Sequence, residues 1–423
     1  MCSSDLTVDV TAERLGFGGF AIARHEGLAV FVPLAAPGDR LRIEITEVEK
    51  KFARARILEI LSPGPGRVAP RCRHFGECGG CQFQHVDYAT QVASKAEFVR
   101  DALQSTGGFD WPAPVVVHHA EPWGYRARTQ LKLEATSGPR RDGSYGRLDR
   151  RDRRARQQAE VAVDVDDATA SAPVLGFHRA FTNSTLDVQE CPVLAPALEQ
   201  GLPAVRAAIA QLAKKDWPYQ IDGACGSGGA SWAPDLPGIK KDLVEHKVGD
   251  FRYLIEPECF FQGNRHLVGE PVAGAIADER GELAFDLYAG VGLFTLPLSK
   301  RFARVIAVED ERRAATLGRV NTKTNGCDNV TWLRATTEQF LRETKERPDL
   351  VFMDPPRVGA KPALALLDKL RPARIVYVSC DPQTLARDLR QLVDGGYELE
   401  QVEGYDMFPQ TFHVEAVARL RRR

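Results

Sequence analysis

Between Pro348 and Pro382 two short apolar runs each end in a polar tetrapeptide: Asp349-Leu-Val-Phe-Met-Asp354-Pro-Pro-Arg357 and Ile375-Val-Tyr-Val-Ser-Cys380-Asp-Pro382. Ala363 to Leu370 between them repeats its apolar residues at helical spacing, so the stretch predicts strand, helix, strand, with the two strands parallel. Asp354 and Cys380 then emerge side by side at one sheet edge. Ligands of open α/β sheets bind outside the carboxyl ends of the strands, and the site is expected there.

The chain of 423 residues, 43% hydrophobic, is long enough for two or three cored domains. No apolar run reaches the roughly 20 residues of a membrane helix, and Met1 to Leu6 lacks the features of a signal peptide. No membrane partner is therefore expected, and the cytoplasm is the expected location. Nine cysteines, an odd number dispersed along the chain, argue for thiols used as ligands or reagents and against a disulfide framework. The net charge of −1 gives no whole-chain signal for nucleic acid. Local charge does more: Arg140 to Arg156 holds eight arginines against three aspartates, and the sequence closes Arg419-Leu-Arg-Arg-Arg423.

Residues 6 to 61 read as short strands broken by glycine, a small N-terminal β-barrel. Interleaved Arg14, Phe17, Phe20, Arg24, Lys50, Lys51 and Arg54 suit an oligonucleotide-binding face. Ser62-Pro-Gly-Pro-Gly66 marks a linker, and Cys72-x5-Cys78-x2-Cys81 follows at once. Three close thiols suggest a metal site, with Cys191 before Pro192 as the fourth ligand. Three thiols in a run plus a distant one lean toward an iron–sulfur cluster, while nearby His74 and His85 keep zinc open. Asp87 to Leu103 predicts an amphipathic helix with Val92, Ala96, Val99 and Leu103 on one face. Strands are expected over 123–133 and 174–186, separated by a disordered insertion from Ser137 to Ala172.

Past a glycine-rich stretch at 223–229 and a strand over 251–256, Glu258-Cys-Phe-Phe-Gln-Gly-Asn264 opens a helix. Asp286-x3-Gly290-x-Gly292 then lies at a strand-to-helix turn, with Glu309 at the end of the next strand. This layout holds an adenosine: Gly290 and Gly292 let the backbone approach the ligand, and Glu309 accepts its ribose hydroxyls. Thr295 stands where a dinucleotide fingerprint has its third glycine, which favours S-adenosylmethionine over NAD. Cys380 precedes a helix expected over 383–392, whose N-terminus is expected to lower the thiol pKa and make it a nucleophile. Glu415 lies on a last strand among apolar residues. A thiolate beside a methyl donor suggests one reaction. Thiolate addition to carbon 6 of uracil makes carbon 5 nucleophilic toward the sulfonium methyl, and a base then removes the carbon 5 proton so that the thiol can leave. Cys380 and Glu415 fit those roles, on a uridine that is single-stranded or flipped out.

Taken together, the motifs resemble the RNA (uracil-5)-methyltransferases, within them the 23S ribosomal RNA enzymes with a TRAM domain and a [4Fe-4S] cluster. The matching pieces are Gly16 to Val32 with Pro37-Gly-Asp39, Cys72 to Cys81 with Cys191, Phe261 to Asn264, Asp286 to Gly292, Asp354 to Arg357, Ser379 to Pro382, and Phe408-Pro-Gln-Thr-Phe-His-Val-Glu415. The resemblance implies Cys380 as nucleophile and Glu415 as base. It also implies Gln262, Tyr288, Glu309 and Asp354 in the cofactor and uracil pocket, and Cys72, Cys78, Cys81 and Cys191 on the cluster. Leu293 and Ala335 depart from the family pattern beside the cofactor, and the insertion lies outside it. The implied fold is multidomain α/β, expected as a monomer: an oligonucleotide-binding-like (OB-like) TRAM barrel over 1–61, a central α+β iron–sulfur domain over 62–248, and a Rossmann-like class I methyltransferase domain over 249–423. The helix over 87–103 is implied to pack on the last of these. A transfer RNA substrate, or a non-catalytic RNA-binding iron–sulfur protein, is the alternative.

Overall fold

The computed structural model describes residues 6–135, 173–276 and 278–423. The insertion expected over Ser137–Ala172 lies outside them.

Five strands, β1 (Thr7–Gly16), β2 (Phe20–His25), β3 (Leu28–Pro33), β4 (Arg40–Val48) and β5 (Phe52–Ser62), close a barrel in the order β1-β2-β3-β5-β4. Alternation fills it: Leu15, Ala23, Val32, Leu41 and Ile43 point inward and are fully buried. Asp39 is buried where the barrel meets the linker. Its carboxylate accepts hydrogen bonds from the backbone N–H groups of Ala36 (2.6 Å) and Gly64 (2.8 Å), and from Arg67 Nη2 (2.6 Å). Burial opposes its charge, but those bonds prevail and hold the carboxyl below its usual range.

Helix α1 (Tyr88–Ser105) follows, capped by Asp87, whose carboxylate accepts from Thr90 N–H. It buries two faces. Phe98 packs on the barrel core, while Val99, Ala102 and Leu103 join the core of the large sheet. After β6 (Val117–His118) comes a five-stranded antiparallel sheet built from β7 (Arg128–Ala135), β8 (Pro173–His178), β9 (Thr185–Asp187), β10 (Gln220–Gly226) and β11 (Gly229–Ala233). Helix α2 (Pro196–Ile209) covers it. Two expectations are corrected here. The 123–133 strand begins only at Arg128, and the 174–186 strand is a hairpin of β8 and β9. The glycine-rich 223–229 stretch is a hairpin too, where a Cβ on Gly223 would lie 2.5 Å from the Trp232 ring.

After the hairpin of β12 (Val244–Val248) and β13 (Phe251–Ile255), the remaining strands form the large sheet. They are β14 (Gly281–Leu287), β15 (Phe302–Val308), β16 (Val330–Leu333), β17 (Leu350–Met353), β18 (Arg374–Ser379), β19 (Tyr397–Tyr405) and β20 (Glu415–Arg422). With β6 they lie in the order β16-β15-β14-β17-β18-β20-β19-β6. The first five are parallel, as expected for the 349–382 stretch, and β20 runs antiparallel between β18 and β19. Continuous apolar runs serve both faces: Val351 and Met353 enter one core, Leu350 and Phe352 the other. Helices α3 (Gly269–Ile276), α4 (Thr295–Ser299) and α5 (Arg312–Thr324) pack on one face, and α6 (Thr337–Glu343), α7 (Lys361–Leu370) and α8 (Pro382–Asp394) on the other. No helix among the described residues is long and apolar enough to cross a membrane.

Candidate functional site

The strand directions decide which residues meet. Because β14, β15, β17 and β18 are parallel, the residues that follow them, Tyr288, Glu309, Asp354 and Cys380, leave the sheet at one edge. Antiparallel β20 begins at that edge, with Ala416 paired to Ser379, so Glu415 lies next to Cys380. The order reverses at β14, with β15 on one side and β17 on the other, which is where a crevice opens in such sheets.

At that crevice Tyr288 (φ +63°), Gly290 (φ +55°) and Gly292 (φ +95°) adopt left-handed backbone conformations. A Cβ on Gly290 would meet nothing within 4 Å, so the turn leaves open space beside Glu309. Glu309 is held from beneath: Oε2 accepts from Gly290 N–H (2.8 Å) and Oε1 from Glu311 N–H (2.8 Å). Burial outweighs those bonds and, with Asp310 nearby, raises its carboxyl above the usual range. The sequence assigned Glu309 to the ribose hydroxyls; each of its oxygens accepts one backbone donor and keeps a lone pair, so a ligand meets an anchored carboxylate. Asp286 is buried, accepts from Thr295 Oγ1 at 2.5 Å, and is pushed up to about 7 by burial.

The other half of the site holds Glu415, buried, whose Oε1 accepts from Gln262 Nε2 at 3.0 Å. Burial lifts its carboxyl to about 7 against that bond. Gln262 Oε1 is buried with no partner among the described residues. Burial, then the nearby charges of Glu415 and Asp286, hold the Asp354 carboxyl well above its usual range. The Cys380 thiol is pushed up to about 11 by burial and by Glu415, with the Arg357 cation opposing. A lowered thiol pKa was expected from the helix N-terminus, and this is a correction: Asp381 caps α8, accepting from Thr384 N–H at 3.0 Å, so the helix end faces its own carboxylate. Sequence reasoning also missed His413, whose neutral ring accepts from Arg357 Nη2 at Nδ1 (2.9 Å). Burial drives its pKa down to about 4, which leaves it free to accept.

Cys72, Cys78, Cys81 and Cys191 are free thiols that line one cavity with Arg126, His74 and Glu190. Burial raises all four, Cys81 to about 12 and Cys191 to about 11; Glu190 adds to this at Cys72 and the other thiols of the set add at the remaining three, while Arg126 opposes at Cys78, Cys81 and Cys191. His85 turns away, its Nε2 3.0 Å from Ala35 O. Among the described residues no group of three or more His, Cys, Asp or Glu is arranged to hold a metal ion.

Known proteins share this organisation. A family model described as tRNA (Uracil-5-)-methyltransferase matches residues 239–423, and a TRAM domain model matches residues 6–58. The 23S rRNA (uracil(1939)-C(5))-methyltransferase RlmD of Salmonella typhimurium is 32% identical over 454 residues, 98% of this chain and 96% of that protein. The protein of the same name from an Enterobacter species is 31% identical over 451 residues, 97% of this chain and 95% of that one. Among solved structures, the Pyrococcus abyssi tRNA (uracil-54, C5)-methyltransferase in complex with S-adenosyl-L-homocysteine aligns with a TM-score of 0.70 at 24% identity, over 98% of this chain and 100% of that one. That likeness concerns the fold.

Proposed function

The chain belongs to the RNA (uracil-5-)-methyltransferase family, and from that premise we propose that it methylates carbon 5 of one uridine in 23S ribosomal RNA, using S-adenosylmethionine. Its near full-length relatives carry that substrate in their names. The observation that carries the chemistry is the adjacency of Cys380 and Glu415 at the ends of β18 and β20, beside Asp354 and Gln262.

S-adenosylmethionine, when bound, supplies an electrophilic methyl group; the open turn at Tyr288, Gly290 and Gly292 and the anchored Glu309 suit its adenosine. Cys380 Sγ adds to carbon 6 of the uracil, with Arg357 as the nearby cation favouring the thiolate. Asp354, whose carboxyl burial holds well above its usual range, in its protonated form donates a hydrogen bond to a uracil carbonyl, as a buried neutral carboxyl can. The unpaired Gln262 Oε1 accepts from the uracil N3–H. Glu415 as carboxylate removes the carbon 5 proton, and the carbon–sulfur bond to Cys380 breaks.

The 1–61 barrel is read as the RNA-binding unit, with 62–248 as the cysteine-bearing unit and 249–423 as the methyl-transfer unit. Phe20, Phe31 and Phe52 stand along the barrel at centroid distances of 6.2 and 5.3 Å, with Arg54 over the first and last, a surface suited to stacked bases. A substrate of this kind puts the enzyme in the cytoplasm. Cys72, Cys78, Cys81 and Cys191 are assigned to a [4Fe-4S] cluster. What supports the reading is that the four thiols line one cavity, and that three close thiols plus a distant one is a spacing more usual for an iron–sulfur cluster than for zinc.

The test uses unmodified 23S ribosomal RNA and transfer RNA, each tritiated at uracil carbon 5. Tritium release from the ribosomal RNA that vanishes in Cys380→Ala supports the reading. Methyl transfer without release would place the methyl on another atom and overturn it.

A further inference from the structure

The segment that carries Glu415 into the site is a loop, residues 406–414, and most of what holds it comes from far earlier in the chain. Gln410 sits at its turn with φ +68°, a left-handed conformation for a residue with a side chain, and is buried. Its carbonyl accepts from the backbone N–H groups of Gln82 (3.0 Å) and Phe83 (2.9 Å), the two residues after Cys81. Its own N–H donates to Gln91 Oε1 (3.0 Å), and its Oε1 accepts from Gln91 Nε2 (3.0 Å). Gln91 Nε2 also donates to Phe83 O (3.1 Å) and Val86 O (2.8 Å), so one buried amide ties the cysteine loop, α1 and the 406–414 loop together. Next to it, Tyr125 Oη donates to Pro409 O at 3.1 Å.

None of these bonds is made by Cys380, Glu415, Gln262 or Asp354, and the chemistry above does not use them. A turn in a strained backbone conformation persists only where its surroundings over-determine it. Here the surroundings fix the backbone five residues before Glu415. We propose that Gln91 and Gln410 are positioning residues: their paired amides lock the cysteine loop and α1 onto the 406–414 loop, and so hold Glu415 in line with the carbon 5 proton. The inference rests on Glu415 being the base.

It predicts a defect at one step. When Glu415 takes the carbon 5 proton, the electrons of that carbon–hydrogen bond form the carbon 5–carbon 6 double bond, and Cys380 leaves as thiolate. A displaced base stalls the reaction after methylation, with enzyme still joined to RNA.

The experiment compares the full-length protein with Gln91→Ala, Tyr125→Phe and Glu415→Gln, using unmodified 23S ribosomal RNA and S-adenosylmethionine. Gln91→Ala is expected to lower kcat on the order of 10- to 100-fold with KM for RNA unchanged, the scale set by small misplacements of reacting groups. It should also accumulate a methylated enzyme–RNA complex that survives denaturing gels, as Glu415→Gln should. Tyr125→Phe should do the same more weakly, and carries the test if Gln91→Ala does not fold. If neither Gln91→Ala nor Tyr125→Phe accumulates the complex while Glu415→Gln does, the positioning role is overturned. If Glu415→Gln accumulates none, Glu415 is not the base, and the assignment under which the clamp was inferred falls with it.

Discussion

At the scale of single residues, the site is a set of acids and a thiol whose protonation is governed by burial. Glu415 is lifted to about 7, above the ordinary glutamate range. A carboxyl raised in the folded state gives stability that is present below its unfolded pKa and lost as pH rises through the folded one. Glu415→Gln removes that loss, so in thermal melts the variant should gain on the parent protein above about pH 7 and show no gain near pH 4. The same group as base requires its carboxylate, so kcat/KM should fall as pH drops below about 7. Arg357 opposes the raised Cys380 pKa, and Arg357→Gln should slow covalent adduct formation roughly tenfold at neutral pH, with recovery at alkaline pH; equal rates at every pH would show that the cation does not act on the thiol. The position of Cys380 at a strand end was legible in the sequence because it sits in a short, chemically distinctive motif, whereas Glu415 read only as a carboxylate on a last strand among apolar residues and drew its role from the family resemblance. Arg357, His413, Gln91 and Gln410 were not legible, because their partnerships span 56 and 319 residues and leave no local pattern.

At the scale of elements, the large sheet was legible because its strands are apolar on both faces, and the 349–382 stretch reads as strand, helix, strand without ambiguity. Helix α1 was half legible. Val99 and Leu103 are buried as its apolar spacing predicted, but the helix has a second buried face carrying Gln91, Ser94, Lys95 and Phe98. A lysine in a helix ordinarily marks the solvent side. Here Lys95 is fully buried, with Nζ 2.5 Å from Asp406 Oδ1 and 3.0 Å from Phe408 O. Removing one partner of such a pair strands the other charge, so Lys95→Met should cost about 3–5 kcal/mol in urea unfolding. Lys95→Met with Asp406→Leu should recover most of it; a double variant as unstable as the single would mean that the lysine acts mainly through Phe408 O.

At the scale of the whole molecule, the N-terminal and C-terminal parts of the chain are not beads on a string. Residues 117–118 supply the edge strand β6, paired in parallel with β19, and α1 packs between the barrel and the large sheet. The four candidate cluster thiols can be tested at this scale. Anaerobically purified protein should contain iron and acid-labile sulfide in equal amounts, and Cys191→Ser should lower both together; zinc without sulfide would refute the cluster. The β6 pairing carries a further consequence, for the order in which the protein comes into being. Bringing Val117 to Gly404 closes a loop of most of the chain, and pairings of such sequence separation form slowly and late. The Glu415 strand pairs instead with β18 and β19, within residues 374–422, so it finds its place through partners close in sequence and does not wait for that edge. Cys380 and Glu415 are thus brought together by one strand pairing, near in sequence, while the β6 edge that joins the two ends of the molecule can close afterwards without disturbing it.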